Sequence, residues 1–410
     1  MDHGLIGEHL PHSFSKEIHE KLGYYGYELC EVSRDDLHRF MTQRDFRGIN
    51  VTIPYKESVI PYLHEISDRA KKIGAVNTVV NKNGVLYGDN TDYGGMTALI
   101  LKSGIEIKGK KVLILGTGGT AKTARAVISD LGAASVITVS RTKSDTAISY
   151  GEALSLHLDA DVILNATPVG MFPLTDAAPI SLDGFNSLLG VIDVIYNPLN
   201  TRLMLDARER GIKAENGLYM LVAQAILAAE IFTGKKISAE ITNRIYRDIL
   251  QKKQNIVLVG MPGSGKSTVG KTLAAELSMP FVDTDELIVK KAGMEITEIF
   301  SRFGEEYFRD LESEVIKEVG LLNGTVISTG GGAVLRRKNV NELKKNGKIF
   351  FLDRPVSELI PTDDRPLADK KEKIEALYGV RYPIYCAAAD ITVNVSETPE
   401  NTADAIKRFL

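Results

Sequence analysis

Gly260-Met261-Pro262-Gly263-Ser264-Gly265-Lys266-Ser267 lies between the apolar run Asn255-Ile256-Val257-Leu258-Val259 and the helix-like stretch Thr268 to Leu277. Strand, glycine-rich loop and helix in that order are the context that G-x-x-x-x-G-K-[ST] requires of a phosphate-binding loop. The glycines let backbone N–H groups turn toward phosphate oxygens, Lys266 meets the β- and γ-phosphates, and the Ser267 hydroxyl ligates Mg²⁺. Gly263, Ser264, Gly265, Lys266, Ser267 and Thr268 are therefore the expected contacts to a nucleoside triphosphate. This stretch makes the second half of the chain an α/β domain. It leaves open what residues 1–254 do.

The chain has 410 residues, too many for one ordinary core, and its 44% hydrophobic and 25% charged content with 36 glycines describes a globular α/β protein of two or three domains. A formal net charge of −3 supplies no basic footprint for nucleic acid. Cys30 and Cys386 match no metal or redox spacing, which fits a reducing cytoplasm. No apolar run reaches membrane-spanning length and Met1-Asp2-His3-Gly4 lacks a signal-peptide pattern, so a cytoplasmic protein without a membrane partner is expected. The polar stretch Arg247 to Gln254, where a helical pattern ends, is the expected boundary between the halves.

In the first half, Gly4-Leu5-Ile6-Gly7 reads as a strand, and Pro11-His12-Ser13-Phe14-Ser15 leads into a helix at Lys16 to Leu22. Ser13 and Ser15 either cap that helix or bind a carboxylate or polyol. In Gly48-Ile49-Asn50-Val51-Thr52-Ile53, period two puts Ile49, Val51 and Ile53 on one face and Asn50 and Thr52 on the other. Pro54 suits the first turn of a following helix, with Lys56 near its positive end. Lys56 is there either a solvated lysine or a site cation. Gly74 to Val80 is a strand carrying Asn77 in an apolar run, followed by a hairpin turn at Asn83-Gly84 and a strand at Val85 to Tyr87. Asp92 either caps a helix starting near Gly95 or partners Lys56 in proton transfer.

Lys111 to Leu115, the turn Gly116-Thr117-Gly118-Gly119-Thr120-Ala121 and a helix at Lys122 to Leu131 form G-x-G-x-x-A between strand and helix, a dinucleotide-binding turn. The next strand ends in Ser140-Arg141-Thr142-Lys143 rather than an acidic residue, which suits a 2′-phosphate and favours NADP over NAD. Strand-like runs at Asp161 to Asn165 and Val191 to Tyr196 follow. Gln224 sits in a mostly apolar helix, where its amide either bonds to the backbone or faces a ligand.

Taken together, His12-Ser13-Phe14-Ser15, Asn50-Val51-Thr52-Ile53-Pro54-Tyr55-Lys56, Gly74 to Thr78, Asn90-Thr91-Asp92, Asn165 to Met171, Tyr196-Asn197-Pro198 and Asn216-Gly217-Leu218 with Gln224 resemble the shikimate dehydrogenase family, in family order over residues 1 to about 245. The resemblance implies that Ser13, Ser15, Thr52, Lys56, Asn77, Asp92, Tyr196 and Gln224 hold shikimate, with Lys56 and Asp92 the catalytic pair. It implies NADP(H) along Gly116, Thr117, Gly118, Gly119, Thr120, Ser140, Arg141, Thr142 and Lys143, with Asp68, Val194 and Gly217 bordering the nicotinamide nucleotide. The chain departs from the family at Asp145, where many relatives carry a further basic residue, at Tyr219 for a glycine, and in Ile231-Phe232-Thr233-Gly234, which lacks the common tryptophan.

Beyond the phosphate loop, Met279 to Asp285 places Asp283 and Asp285 at i and i+2 on one side of an extended segment, unless Thr284 or Asp285 serves only as a helix cap. Arg309 and Glu312 stand at i and i+3 on a helix, close enough to pair. Val326-Ile327-Ser328-Thr329 runs into Gly330-Gly331-Gly332, which permits close backbone approach to a ligand. These motifs, with Thr362 to Leu367 and Arg381-Tyr382-Pro383, resemble shikimate kinase, a small member of the nucleoside-monophosphate-kinase-like group. That resemblance gives Asp285, Arg309, Gly331 and Arg381 to shikimate, with Lys266 and Asp285 catalytic. It gives Ser267 and Asp283 to Mg²⁺, and Arg365 to a lid over ATP near 360–372.

The expected architecture is an α/β substrate subdomain (1–95 with 218–246), a Rossmann-like NADP subdomain (96–217), a linker (247–254) and a three-layer α/β/α P-loop kinase domain (255–410). The expected function is NADPH-dependent reduction of 3-dehydroshikimate to shikimate followed by ATP- and Mg²⁺-dependent phosphorylation of shikimate. The rival expectation is an NAD-dependent quinate/shikimate dehydrogenase fused to a kinase-like sensing or scaffolding module.

Overall fold

The computed structural model describes residues 1–10, 14–359 and 371–410. Ser13 and Arg365, and the lid expected near 360–372 up to residue 370, lie outside the described residues. Two compact units are present: Met1–Asn197 with Thr201–Asp248, and Ile249–Leu410 with Pro198–Asn200. Residues 247–253, expected as a linker, continue the helix Ala239–Lys253. Neither glycine nor proline interrupts that helix, and Ile245 and Ile249, one turn apart, are both buried.

Among the described residues the first unit holds two six-stranded sheets. One contains β1 (His3–Gly7), β2 (Glu28–Glu31), β3 (Gly48–Val51), β4 (Glu65–Ile66), β5 (Thr78–Lys82) and β6 (Val85–Asp89), in the order β2-β1-β3-β5-β6-β4. It is mixed, because the β5–β6 hairpin runs antiparallel to its neighbour β3. Asn83 and Gly84 both take positive φ, 54° and 84°, as the expected two-residue turn demands. The other sheet contains β7 (Lys111–Leu115), β8 (Ser135–Ser140), β9 (Ile148–Ser149), β10 (Val162–Asn165), β11 (Gly190–Asp193) and β12 (Lys213–Glu215). Its order β12-β11-β10-β7-β8-β9 is parallel throughout and doubly wound. The order reverses between β7 and β10, and ligands of such sheets bind at the carboxyl ends of the strands beside that reversal.

Among the described residues the second unit is built on a five-stranded parallel sheet of β13 (Asn255–Val259), β14 (Phe281–Asp283), β15 (Val326–Ser328), β16 (Gly347–Asp353) and β17 (Ile391–Asn394), ordered β14-β15-β13-β16-β17. Each parallel sheet is buried on both faces, which is why β7 and β13 read as unbroken apolar runs. In β13, Val257 and Val259 enter one core while Ile256 and Leu258 enter the other. The phosphate loop therefore springs from the central strand of a rigid layer.

Two local expectations are corrected and two open alternatives are decided. No helix follows Pro54; residues 54–59 form turns after a cis Ile53–Pro54 peptide, so Lys56 is not set against a helix dipole. Ile53 does not share the buried face of Ile49 and Val51, because β3 ends at Val51 and leaves Ile53 exposed. Asp92 is not a cap: the helix Thr91–Ser103 begins earlier, with Asn90 as N-cap accepting from the Tyr93 N–H. Neither Thr284 nor Asp285 caps the helix Thr284–Ala292; Asp283 does, through the Asp285 N–H at 3.0 Å.

Candidate active sites

The first cleft, of about 340 Å³, lies within the first unit and is lined by Ser15, Thr52, Lys56, Asn77, Asp92 and Gln224 among others. Lys56 Nζ is 2.5 Å from Asp92 Oδ2, both side chains partly buried. Beginning the helix at Thr91 is what brings Asp92 there. Asn77 Oδ1 accepts the Thr91 N–H (2.7 Å) and the Thr78 hydroxyl (3.0 Å), fixing the first turn of Asp92's helix to β5. Asn50, buried on β3, donates to Thr78 Oγ1 (3.0 Å) and the Asn77 carbonyl (3.3 Å) and accepts from Tyr27 OH (2.7 Å). Behind it His19 stacks on Tyr27 at 4.0 Å, and burial drives its imidazole down to about 3, so it stays neutral.

The opposite wall comes from the helix Leu218–Thr233. A Cβ on Gly95 would sit 2.8 Å from the Met220 carbonyl and 2.9 Å from Gln224 Cβ, so the glycine lets this helix close on that of Asp92. Gln224 donates to the Leu221 carbonyl at 2.8 Å while also lining the cleft, combining the two alternatives open for it.

Thr120, Val194, Tyr196 and Gly217 continue the cleft into the second sheet. A Cβ on Gly217 would fall 1.9 Å from the Val194 carbonyl oxygen, a contact no side chain survives. Gly116 turns at φ 110° against Ala166 and Thr167, whereas Gly118 and Gly119 face open space. Gly118 starts the helix Gly119–Asp130 without a side-chain cap, leaving first-turn N–H groups for phosphate oxygens. Beneath this region Asp193, fully buried at the end of β11, accepts from Asn165 Nδ2 (3.1 Å), the Ile195 N–H (3.0 Å) and the Thr201 hydroxyl (2.7 Å). Burial pushes its carboxyl up to about 6. It thereby ties together the segments leaving β10 and β11 beside the cleft.

The second cleft, of about 540 Å³, belongs to the second unit. Lys266, 6% exposed, donates to the carbonyls of Gly260 (3.0 Å) and Met261 (2.9 Å). The Ser267 hydroxyl donates to Asp283 Oδ2 (2.7 Å) and lies 3.2 Å from Ser328 Oγ. Asp283 thus divides its oxygens between the cap and Ser267, while Asp285, in the first turn, lines the cleft.

Arg309 is buried and held by Glu312 Oε2 (2.8 Å) and Glu305 Oε1 (3.1 Å). Burial pushes the Glu312 carboxyl up, against the pull of Arg309. The three glycines each meet a different site group. Added Cβ atoms would lie 2.5 Å from Asp285 Oδ1 at Gly330, 2.8 Å from Pro262 at Gly331, and 2.0 Å from an Arg309 nitrogen at Gly332. The Gly331 carbonyl accepts from Arg381 (3.2 Å) and from Tyr385 OH.

The family description "Shikimate dehydrogenase substrate binding domain" matches residues 5–79. Shikimate dehydrogenase (NADP(+)) of Clostridium perfringens strain SM101 is 36% identical over 264 residues, covering 60% of this chain and 97% of that protein. The chain belongs to the shikimate dehydrogenase family. The shikimate dehydrogenase of Clostridium beijerinckii is likewise 36% identical, over 96% of its length. Among solved structures, shikimate dehydrogenase 1 of Peptoclostridium difficile aligns with a TM-score of 0.56 at 38% identity, over 61% of this chain and 98% of that one. A chorismate mutase/shikimate 5-dehydrogenase fusion from Clostridium acetobutylicum aligns at 0.58 and 38% identity, over 61% and 97%. Residues 262–410 match the family described as "Shikimate kinase". A shikimate dehydrogenase region and a shikimate kinase domain therefore follow one another in a single α/β chain.

Of the residues expected to hold shikimate in the dehydrogenase, the described ones all line the first cleft; Ser13 is outside the described residues. Asp68 does not reach it: its side chain is fully exposed beside Lys71 at 3.4 Å. Ser140 to Lys143 sit at the surface end of β8, and Lys143 pairs with Glu152. In the kinase, Asp285, Arg309, Gly331 and Arg381 converge, but Ser264 is buried outside the cleft lining. The sequence reading gave no site role to Asn50, Glu312 or Tyr385. Each stands at a telling spacing: two residues before Thr52, three after Arg309, four after Arg381.

Proposed function

We propose that the chain catalyses two successive reactions: NADPH-dependent reduction of 3-dehydroshikimate to shikimate, then phosphorylation of shikimate by ATP to shikimate 3-phosphate. Residues 1–246 carry the first, 255–410 the second, and 247–254 join them. The observation that carries the reading is the Lys56–Asp92 pair at 2.5 Å in a cleft that extends to Thr120 of the dinucleotide turn.

In the first reaction the bound dinucleotide supplies the hydride. The protein must hold the ketone, stabilise charge developing on its oxygen and deliver a proton there. Lys56 does the last two, and Asp92, hydrogen-bonded to it, holds the ammonium in place and shares the proton. Ser15, Thr52, Asn77, Tyr196 and Gln224, together with Ser13, bind the ring hydroxyls and carboxylate. Gly118, Gly119 and Thr120 cradle the pyrophosphate, and Arg141 with Thr142 faces the 2′-phosphate.

In the second reaction Arg309 and Arg381 take the carboxylate of shikimate, and Asp285 orients its 3-hydroxyl and accepts the proton. Ser267 and Asp283 offer hard oxygen donors 2.7 Å apart, which suit Mg²⁺. When bound, Mg²⁺ offsets charge on the transferring phosphoryl group. Lys266 adds its own charge once its contacts to the loop carbonyls yield to phosphate oxygens, and Arg365 contacts ATP. Among the described residues no helix is long and apolar enough to cross a membrane. A cytoplasmic location goes with this reading, since NADPH and ATP are drawn from that pool.

Lys56→Ala and Lys266→Ala, assayed for both reactions, test the proposal. The first is expected to lower dehydrogenase kcat/KM by about 10²–10⁴-fold and leave the kinase rate unchanged. The second is expected to abolish phosphorylation and leave NADPH oxidation intact. Loss of both activities in either variant, or of neither, contradicts the assignment.

A further inference from the structure

The turn after β8 carries opposing charges that the catalytic reading does not use. Lys143 donates from its ammonium to Glu152 Oε1. Glu152 lies in the first turn of the helix Tyr150–Leu156 and forms a reciprocal cap with Ser149. Its other oxygen, Oε2, accepts from the Ser149 N–H (2.9 Å) and hydroxyl (3.1 Å), while Ser149 Oγ accepts the Glu152 N–H (3.2 Å). One carboxylate oxygen thus serves the helix start and the other serves Lys143. Lys143 foremost, with the Ser149 N–H, holds this carboxyl down at about 2, so it is charged throughout the working pH range. Asp145 adds a second negative charge to the same turn. Arg141 and Lys143 against Asp145 and Glu152 leave no net charge where a 2′-phosphate would be read.

We propose that Glu152 is a specificity-determining residue for the nicotinamide cofactor: by engaging Lys143 it withdraws a cation from the 2′-phosphate position and leaves Arg141 as the principal charge there. This rests on the NADPH reading above. NADPH and NADH differ at this turn only by a phosphate group, so a freed ammonium strengthens binding of the first and leaves the second untouched. Lys143 is largely exposed and Glu152 half-buried, so release of the pair acts on the scale of a solvent-screened ion pair.

Glu152→Gln isolates the charge. Glutamine at this position keeps an oxygen for the Ser149 N–H and so preserves the cap, but it offers Lys143 no negative charge. The full-length protein is titrated with NADPH and separately with NADH by fluorescence, without shikimate, at low and high salt, and kinase turnover serves as the control for folding. NADPH affinity is expected to rise about two- to fivefold in Glu152→Gln. NADH affinity stays unchanged, and the gain shrinks at high salt. Adding Lys143→Gln to that variant is expected to cancel the gain. An unchanged NADPH-to-NADH affinity ratio, or a gain that survives loss of Lys143, overturns the proposal. Failure of the unsubstituted protein to bind NADPH overturns the cofactor reading and the proposal with it.

Discussion

The two clefts are built in opposite ways. In the first, reactive groups stand on ordinary backbone and are fixed by a chain of side-chain hydrogen bonds, from Tyr27 through Asn50 and Thr78 to Asn77 and the Thr91 N–H. In the second, charged groups crowd against backbone that carries no side chain, with each of Gly330, Gly331 and Gly332 closer to a site atom than a Cβ allows. The first site is therefore vulnerable to loss of a hydrogen-bond partner, the second to one added methyl group. The contrast is not total, since Gly217 in the first cleft also excludes a Cβ.

The largest expected effect is at Gly332. A Cβ there lies 2.0 Å from an Arg309 nitrogen, and Arg309 is clamped by Glu305 and Glu312 and cannot swing aside freely. Gly332→Ala is expected to lower kinase kcat/KM for shikimate on the order of hundredfold, the scale of a 1 Å misplacement, while NADPH oxidation is unaffected. Steady-state assays of both reactions check this. A variant with normal kinase kinetics would show that Arg309 tolerates a Cβ at this position.

Next comes Asp193, whose burial belongs to the first unit alone. Its folded carboxyl titrates near 6 against 3.8 for an unburied one. The folded state therefore binds more protons between those values, and stability falls as pH rises through them. The drop is on the order of 3 kcal/mol and complete above about pH 6. In Asp193→Asn the amide would keep an acceptor for the Ile195 N–H and donate to Thr201 Oγ1, with no charge to bury. Thermal unfolding of this variant across the same range should therefore lack the drop. A pH dependence identical to that of the unsubstituted protein contradicts the assignment.

The smallest expected effect is at Tyr27, in the hydrogen-bonded wall of the first cleft. Tyr27→Phe removes the donor to Asn50 Oδ1 without emptying the core, at a cost of about 1–3 kcal/mol for the stranded acceptor. Dehydrogenase kcat/KM for 3-dehydroshikimate is expected to fall about tenfold with affinity for NADPH unchanged. Equal losses for both ligands would mean a general loosening instead.

Much of this arrangement was legible in the sequence, for definite physical reasons. The phosphate loop and the dinucleotide turn each sit between a doubly buried strand and a helix, and unbroken apolar runs at β7 and β13 announce that context. The hairpin at Asn83-Gly84 follows from its turn residues. What escaped depended on which of several neighbouring polar residues makes a given contact. Asp92 stayed open between a cap and a partner of Lys56 because the actual cap, Asn90, supplies the same chemistry two residues earlier. Asp283 and Asp285 looked like one face of a strand because Asp283, Thr284 and Asp285 can each cap a helix, so the point where β14 stops is ambiguous from residue types alone. The capture of Lys143 by Glu152 joins residues nine apart through a two-residue strand, which no short-range pattern announces.

The central claim is that one chain makes shikimate and then phosphorylates it. Purified protein supplied with 3-dehydroshikimate, NADPH, ATP and Mg²⁺ should oxidise NADPH and release ADP, with shikimate 3-phosphate accumulating as the product of both steps. NADPH oxidation that ends in unphosphorylated shikimate, or ATP consumption without any NADPH oxidation, would contradict it.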